Sequence, residues 1–191
     1  YFIVSILFMF LFYTLYAYIS FGRAGVKAYW KNILPPALTS LGTCSSAACV
    51  PINIESTKKM GVPADIAEAT ISLGTSFHKD GSAIGSVFKI MFLVCFFGTP
   101  LNSLGSFGQV LGVSLIATLL VTAVPIGGGT ISEMLILTLM GYPVAALPIL
   151  TIVATVIDAP ATLLNVVGDS SCALLVTRTV EGKKGLKVKK V

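Results

Sequence analysis

The stretch NILPPALTSLGTCSSAACVPINI, residues 32–54, decides how this chain folds. It is apolar and rich in small residues, and basic residues flank it on both sides: Arg23, Lys27 and Lys31 before it, Lys58 and Lys59 after it. Basic connections face the cytoplasm, so the segment enters from that side and returns to it. A helix needs about 20 residues to cross a hydrocarbon core of roughly 30 Å, which leaves too few here for two crossings. Pro35, Pro36, Gly42 and Pro51 also oppose one continuous helix. The segment therefore reads as a re-entrant hairpin with its tip at CSSA, 44–47. Irregular backbone at that depth is tolerated only when buried in protein or lining a cavity.

Composition agrees with a membrane setting. The chain is 55% hydrophobic and 11% charged, with a mean hydropathy of +0.92, whereas soluble domains carry about 25% charged residues. YFIVSILFMFLFYTLYAYIS, 1–20, lacks a basic leader and a small-residue cleavage site, so it reads as a span and not as a signal peptide. That the first residue is Tyr1 and not Met implies a longer polypeptide. The net charge of +5 does not point to nucleic acid, because of where the charges fall. Apart from Lys79 and Lys89, the Lys and Arg residues lie in the two connections already named or in the tail (Arg178, Lys183, Lys184, Lys187, Lys189, Lys190). Such a tail fits anionic lipid. The connections GTPLNSLGSFGQ, 98–109, and GYPVAALP, 141–148, are uncharged and read as external. Cys44, Cys49, Cys95 and Cys172 form no C-x-x-C pair and read as small hydrophobic residues.

Outward from 32–54, the expected order is a transmembrane helix over 1–22, the first hairpin over 32–54, and an interrupted transmembrane helix over 62–97. A second hairpin follows over 108–140, broken at Pro125 and Gly127–Gly129, then an interrupted transmembrane helix over 145–178 and a basic cytoplasmic tail over 179–191. The two hairpin-plus-span units have opposite orientation, and KDGS (79–82) in the first echoes GDSS (168–171) in the second. The fold class is thus an all-α membrane protein with two oppositely oriented re-entrant hairpins and two interrupted helices, the inverted-repeat layout of a secondary transporter.

Polar residues cluster where this layout brings its breaks together. SFHKDGS, 76–82, places three ionisable side chains inside an apolar run. Asp158, Thr162, Asn165 and Asp169 fall on one face of a helix. Acids at that depth are costly unless they meet water, a cation or a partner charge. The face reads either as a wall for a cation and substrate, or as structural acids paired with Lys79 or Lys89. Ser45 and Ser46 sit beside a helix terminus, where free N–H groups attract a carboxylate. The glycines of PIGGG, 125–129, free the backbone to meet a ligand, although small residues also serve close helix packing.

SSAACVP (45–51), LGTSFHKDGS (73–82), AVPIGGG (123–129) and DAPATLLNVVGD (158–169) together resemble the dicarboxylate/amino acid:cation symporter family. That family's marks are a serine-rich first hairpin, an Asn-Met-Asp-Gly-Thr break, a Pro-Gly-rich second hairpin and a last helix reading D-x-x-R-T-x-x-N-x-x-G-D. The resemblance spans essentially the whole chain, as the C-terminal, transport-domain part of such a protein. It implies a substrate site of Ser45, Ser46, Ser82, Gly127, Gly128, Asp158, Thr162 and Asn165. It implies cation sites drawn from Gly74, Ser76, His78, Lys79, Asp80, Asn165 and Asp169, with sodium at Gly74, Asp80, Asn165 and Asp169. It further implies no cofactor, elevator movement against a scaffold half, a homotrimer, and a place in the cell membrane with the C-terminus cytoplasmic.

Departures from the pattern narrow the function. The pattern's arginine falls at Ala161, and Arg178 lies roughly 25 Å further along the helix by rise. That favours a neutral or small amino acid over an acidic amino acid or a dicarboxylate, which stay as the alternative within the same family. The pattern's Asn and Met become His78 and Lys79. Either Lys79 stands in for one coupling cation, or His78 and Lys79 couple transport to protons, or Lys79 pairs with Asp80 or Asp158. The coupling ion is thus sodium or a proton. Glu133 has no role in the pattern and reads as a proton site or a partner of Lys89. An intramembrane aspartyl protease using Asp80 and Asp169 would want G-x-G-D, where the chain has NVVGD, and would leave the hairpins unexplained. The reading is therefore not an enzyme; an ion channel is the other rival.

Overall fold

The structure, a computed structural model, describes residues 1–121 and 128–186. Helices make up its regular structure, with no strand among the described residues. The chain opens with α1 (Phe2–Phe8), a π-helical turn (Met9–Tyr13) and α2 (Thr14–Asn32). α2 is not straight: Phe21 (φ −139, ψ 23) and Gly22 (φ 59, ψ −143) break it, the second in a region only glycine enters freely. Beyond the break the chain folds back. Trp30 Nε1 donates to Thr14 Oγ1 at 3.0 Å, the Trp30 ring stacks on Phe10, and Gly25 packs against the Ala17 carbonyl. The connection expected after residue 22 is thus itself an amphipathic helix. Gly25, Ala28 and Tyr29 are buried on one side, and Arg23, Lys27 and Lys31 are exposed on the other.

α3 (Leu34–Thr43) and α4 (Ser46–Lys59) pair as a helical hairpin. Pro35 and Pro36 fall in the first turn of α3, where no N–H partner is lost. Cys44 turns the chain in a left-handed conformation (φ 48, ψ 31), and the Ser45 hydroxyl accepts the Ala48 N–H at 3.3 Å to cap α4. α5 (Ala64–Phe77) and α6 (Asp80–Phe97) are separated at His78 and Lys79. α7 (Leu104–Val121) and α8 (Gly128–Met140) form a second packed pair. Their connection, with the expected tip at Pro125 and Gly127, lies outside the described residues, as do Lys187, Lys189 and Lys190 of the tail.

The last helix, α9 (Leu147–Val180), differs from expectation by being continuous. Pro160 sits inside it without a break, as neighbouring helices permit in membrane proteins. Its polar run stays helical because the hydroxyls find partners. Ser170 Oγ donates to Asn53 Oδ1 at 2.6 Å, and Ser171 Oγ donates back to the Gly168 carbonyl at 2.8 Å. α9 is the hub, contacting α1 to α6 and α8. Three of its carbonyls take side-chain donors from elsewhere: Leu164 from Tyr13 OH (3.0 Å), Val166 from Asn53 Nδ2 (2.8 Å) and Val167 from Tyr29 OH (3.0 Å).

Two apolar cores flank the hub. One joins Tyr13, Tyr29, Met60, Leu164 and Leu174; the other joins Ile90, Leu93, Ile136, Leu137 and Leu150. The outer faces are apolar as well, with Ile3, Leu11, Leu73 and Ile152 all exposed. Phe2–Asn32, Ala64–Phe97 and Val144–Val180 are long and apolar enough to cross a membrane. This is an all-α membrane protein.

α6 meets α9 most closely at Gly81, where a Cβ would run into the Ala161 carbonyl. Gly81→Ala is expected to destabilise the full-length protein by about 1–3 kcal/mol. Gly112→Ala, with nothing within 4 Å of its would-be Cβ, is expected to be neutral or slightly stabilising. Thermal unfolding in detergent separates the two, and equal midpoints would refute the close approach.

Candidate functional site

A helix broken in apolar surroundings leaves backbone N–H groups that must be satisfied. His78 (φ −87, ψ 98) and Lys79 (φ −127, ψ 46) leave the helical region, and α6 restarts at Asp80. Asn165 of α9 supplies the missing acceptor: its Oδ1 takes the N–H of Gly81 at 2.9 Å and of Ser82 at 3.3 Å. Its Nδ2 donates to Ser82 Oγ at 2.9 Å. A side chain of the last helix thus caps the broken one from across the interface.

On one side of this cap lies a cavity of about 730 Å³. The first hairpin contributes Ser45 and Ser46 to its wall; the break contributes Ser76, Lys79 and Ser82; α9 contributes Asp158, Thr162 and Asn165. The far wall is built by Ser86 and Lys89 of α6, Thr118 of α7, Thr130 and Glu133 of α8, and Thr151 of α9. Gly129 also lines it, next to Gly128, which opens α8. Gly127 lies outside the described residues. The six described substrate-site candidates other than Gly128 therefore share one cavity.

Behind the cap is a second, tighter cluster. The His78 ring lies between two acids, with Nε2 3.0 Å from Asp80 Oδ2 and Nδ1 3.2 Å from Asp169 Oδ1. Tyr13 OH lies 3.3 Å from the same Asp80 oxygen. Asp169 is 1% exposed at its side chain. Gly74 packs directly on the Asp169 carboxylate, and Gly168 on the His78 ring and Tyr13. Of the cation-site candidates, Gly74, His78, Asp80 and Asp169 meet here, Ser76 and Lys79 face the cavity, and Asn165 stands between the two places.

Sequence reasoning missed Tyr13, one of several hydroxyls in an aromatic-rich span with no periodic signal to single it out. Lys89 and Glu133, which the sequence offered as partners, both line the cavity and are 8% and 2% exposed. Glu133 accepts a hydrogen bond from Thr151 Oγ1. Among the described residues neither Lys79 nor Lys89 lies within 4.0 Å of a carboxylate, so of the alternatives for Lys79 the ion pair with Asp80 or Asp158 is not formed. The break turns Lys79 into the cavity while His78 takes the acids.

Comparison with known proteins places these features. The chain is 29% identical over 152 residues to human excitatory amino acid transporter 2, covering 78% of this chain and 26% of the relative. It is 30% identical over 162 residues to the L-cystine uptake protein TcyP of Bacillus licheniformis, covering 84% and 35%. It is 27% identical over 154 residues to human neutral amino acid transporter A, covering 80% and 29%. The chain thus spans about a quarter to a third of the length of these curated relatives. No solved structure matches. Residues 1–179 match the model of the sodium:dicarboxylate symporter family, and the chain belongs to that family.

Proposed function

We propose that these residues form the substrate-carrying part of a secondary symporter that moves a neutral amino acid across the cell membrane, driven by sodium or protons. The observation that carries this reading is the cavity in which Ser45 and Ser46 of the first hairpin converge with Asp158, Thr162 and Asn165 of α9. Asp158 offers a carboxylate to the substrate ammonium. The substrate carboxylate would take the second N–H of the Asn165 amide, since only one is committed to Ser82. It would also take the hydroxyls of Ser45 and Thr162, and the free N–H groups that open α4 beside Ser46. Ala161 places no cation beside this head-group site, which supports a neutral substrate.

The hairpin α3–α4 enters from the cytoplasmic side and the pair α7–α8 from outside, the latter closing the outer end of the cavity. The unit built on α9 travels as one body against a scaffold carried elsewhere in the longer protein, which assembles as a homotrimer in the lipid bilayer. The basic tail stays cytoplasmic. No catalytic residue, cofactor or nucleic acid enters this reading.

One observation favours a second reading, an acidic amino acid or dicarboxylate: Lys89 lines the same cavity, buried and without a carboxylate within 4.0 Å among the described residues. Glu133, which lines the same cavity, offsets that charge. Thermal-shift measurements on the full-length protein in detergent distinguish the two. A native-state ligand at a hundred times its Kd adds about 2.7 kcal/mol, so serine or alanine is expected to raise Tm where aspartate does not. An aspartate shift that vanishes in Lys89→Met would move the substrate to the acidic class.

The ammonium contact has its own test. Asp158→Asn removes a charge-assisted hydrogen bond worth about 1.5–3 kcal/mol, so Kd for the amino acid is expected to rise by about 10- to 100-fold. Binding by calorimetry at wild-type strength would rule Asp158 out of the head-group site.

A further inference from the structure

The residues that the family resemblance nominates as sodium ligands do not fit a metal ion in this chain. The Gly74 carbonyl accepts the His78 N–H at 2.8 Å. Asn165 Oδ1 is held by the N–H groups of Gly81 and Ser82. Asp80 Oδ2 and Asp169 Oδ1 face the two ring nitrogens of His78 at 3.0 and 3.2 Å. Hard cations are held by several oxygens converging on one point. Here the Gly74 carbonyl and Asn165 Oδ1 already accept N–H groups, and one oxygen of each acid stands against a ring nitrogen of His78, the Nδ1–Asp169 Oδ1 contact being close without hydrogen-bond alignment.

Packing narrows the space on the Asp169 side. A Cβ on Gly168 would meet Cε1 of the ring, and a Cβ on Gly74 would meet the Asp169 carboxylate. Tyr13 OH covers the Asp80 side, donating to the Leu164 carbonyl at 3.0 Å and standing 3.3 Å from Asp80 Oδ2. The ring therefore bridges α6 and α9, with Asp169 buried behind it and Asp80 partly exposed.

We propose that the His78 imidazole occupies the place of a coupling cation between Asp80 and Asp169, so that this symporter binds no metal ion there. The role falls to His78 and not to Lys79, whose side chain lines the substrate cavity. The inference deepens the symport reading and rests on it for its meaning in transport, but ion binding can be measured without any substrate.

The test uses the purified full-length protein, without amino acid, titrated with sodium chloride against choline chloride at constant ionic strength. His78→Asn removes the ring and offers an amide oxygen, restoring the family's residue. It is expected to gain a saturable sodium-dependent rise in Tm of about 2–4 °C beyond that of the wild type. Reconstituted, it is expected to couple one more sodium to each amino acid. A His78→Asn protein whose sodium response equals the wild type's overturns the proposal. So does a wild-type sodium response that disappears in Asp169→Asn. Should His78→Asn fail to fold, Asp80→Asn decides: with the ring in place the sodium response is unchanged, whereas with a metal there it falls. Amino-acid uptake in proteoliposomes reads the symport assignment separately, so either can fail without the other.

Discussion

Asn165 is the residue on which the site's architecture depends. Breaking a helix inside an apolar protein strands several N–H groups, each costing about 1–3 kcal/mol if left unmet. Asn165 meets two of them with one oxygen and ties Ser82 with its nitrogen. It can do so because α6 and α9 approach to backbone contact at Gly81 and Ala161. The polar break and the glycine contact are therefore one device: without the close approach the cap would not reach, and without the cap the break would be too costly to hold.

The same interface separates two electrostatic environments. On the cavity side, Asp158, Lys79, Lys89 and Glu133 face a shared polar space and make no direct ion pairs among the described residues. Behind the cap, the His78 ring stands between Asp80 and Asp169 at 3.0 and 3.2 Å. Charges left facing a cavity can exchange partners with a ligand. Charges committed to each other within a packed interface fix geometry instead. The split between His78 and Lys79, adjacent in sequence, comes from the break itself, since extended backbone sends successive side chains to opposite sides.

Much of this was legible before any coordinates. The placement of Lys and Arg marked residues 32–54 as a segment that turns back, and the pair α3–α4 turns at Cys44–Ser45 within the expected tip. The spacing put Asp158, Thr162, Asn165 and Asp169 on one face; the first three line one cavity, whereas Asp169 lies behind the cap against His78. What could not be read has physical reasons. The reversal at Gly22 is one glycine's dihedral in a run whose composition suits a helix throughout. The continuity of α9 depends on hydroxyl and carbonyl partners contributed by α2, α4 and the first span, which no local pattern reveals. Tyr13 and Lys89 acquire meaning only from what lies opposite them.

A tethered ring and a dissociable ion differ most in what they do over a transport cycle. An ion that binds on one side and leaves on the other carries its charge across the membrane potential, worth about 2.3 kcal/mol per charge at 100 mV. A side chain that moves out with the carrier must move back with it, so over a full cycle it carries nothing. With His78 between Asp80 and Asp169, a carrier built as proposed would keep a partner for both acids whether loaded or empty. The empty carrier then need not return with those two acids unpartnered, a state that apolar surroundings penalise by several kcal/mol per charge. On the proposal above, the return step would become easier and the power to concentrate substrate would fall by the contribution of one ion.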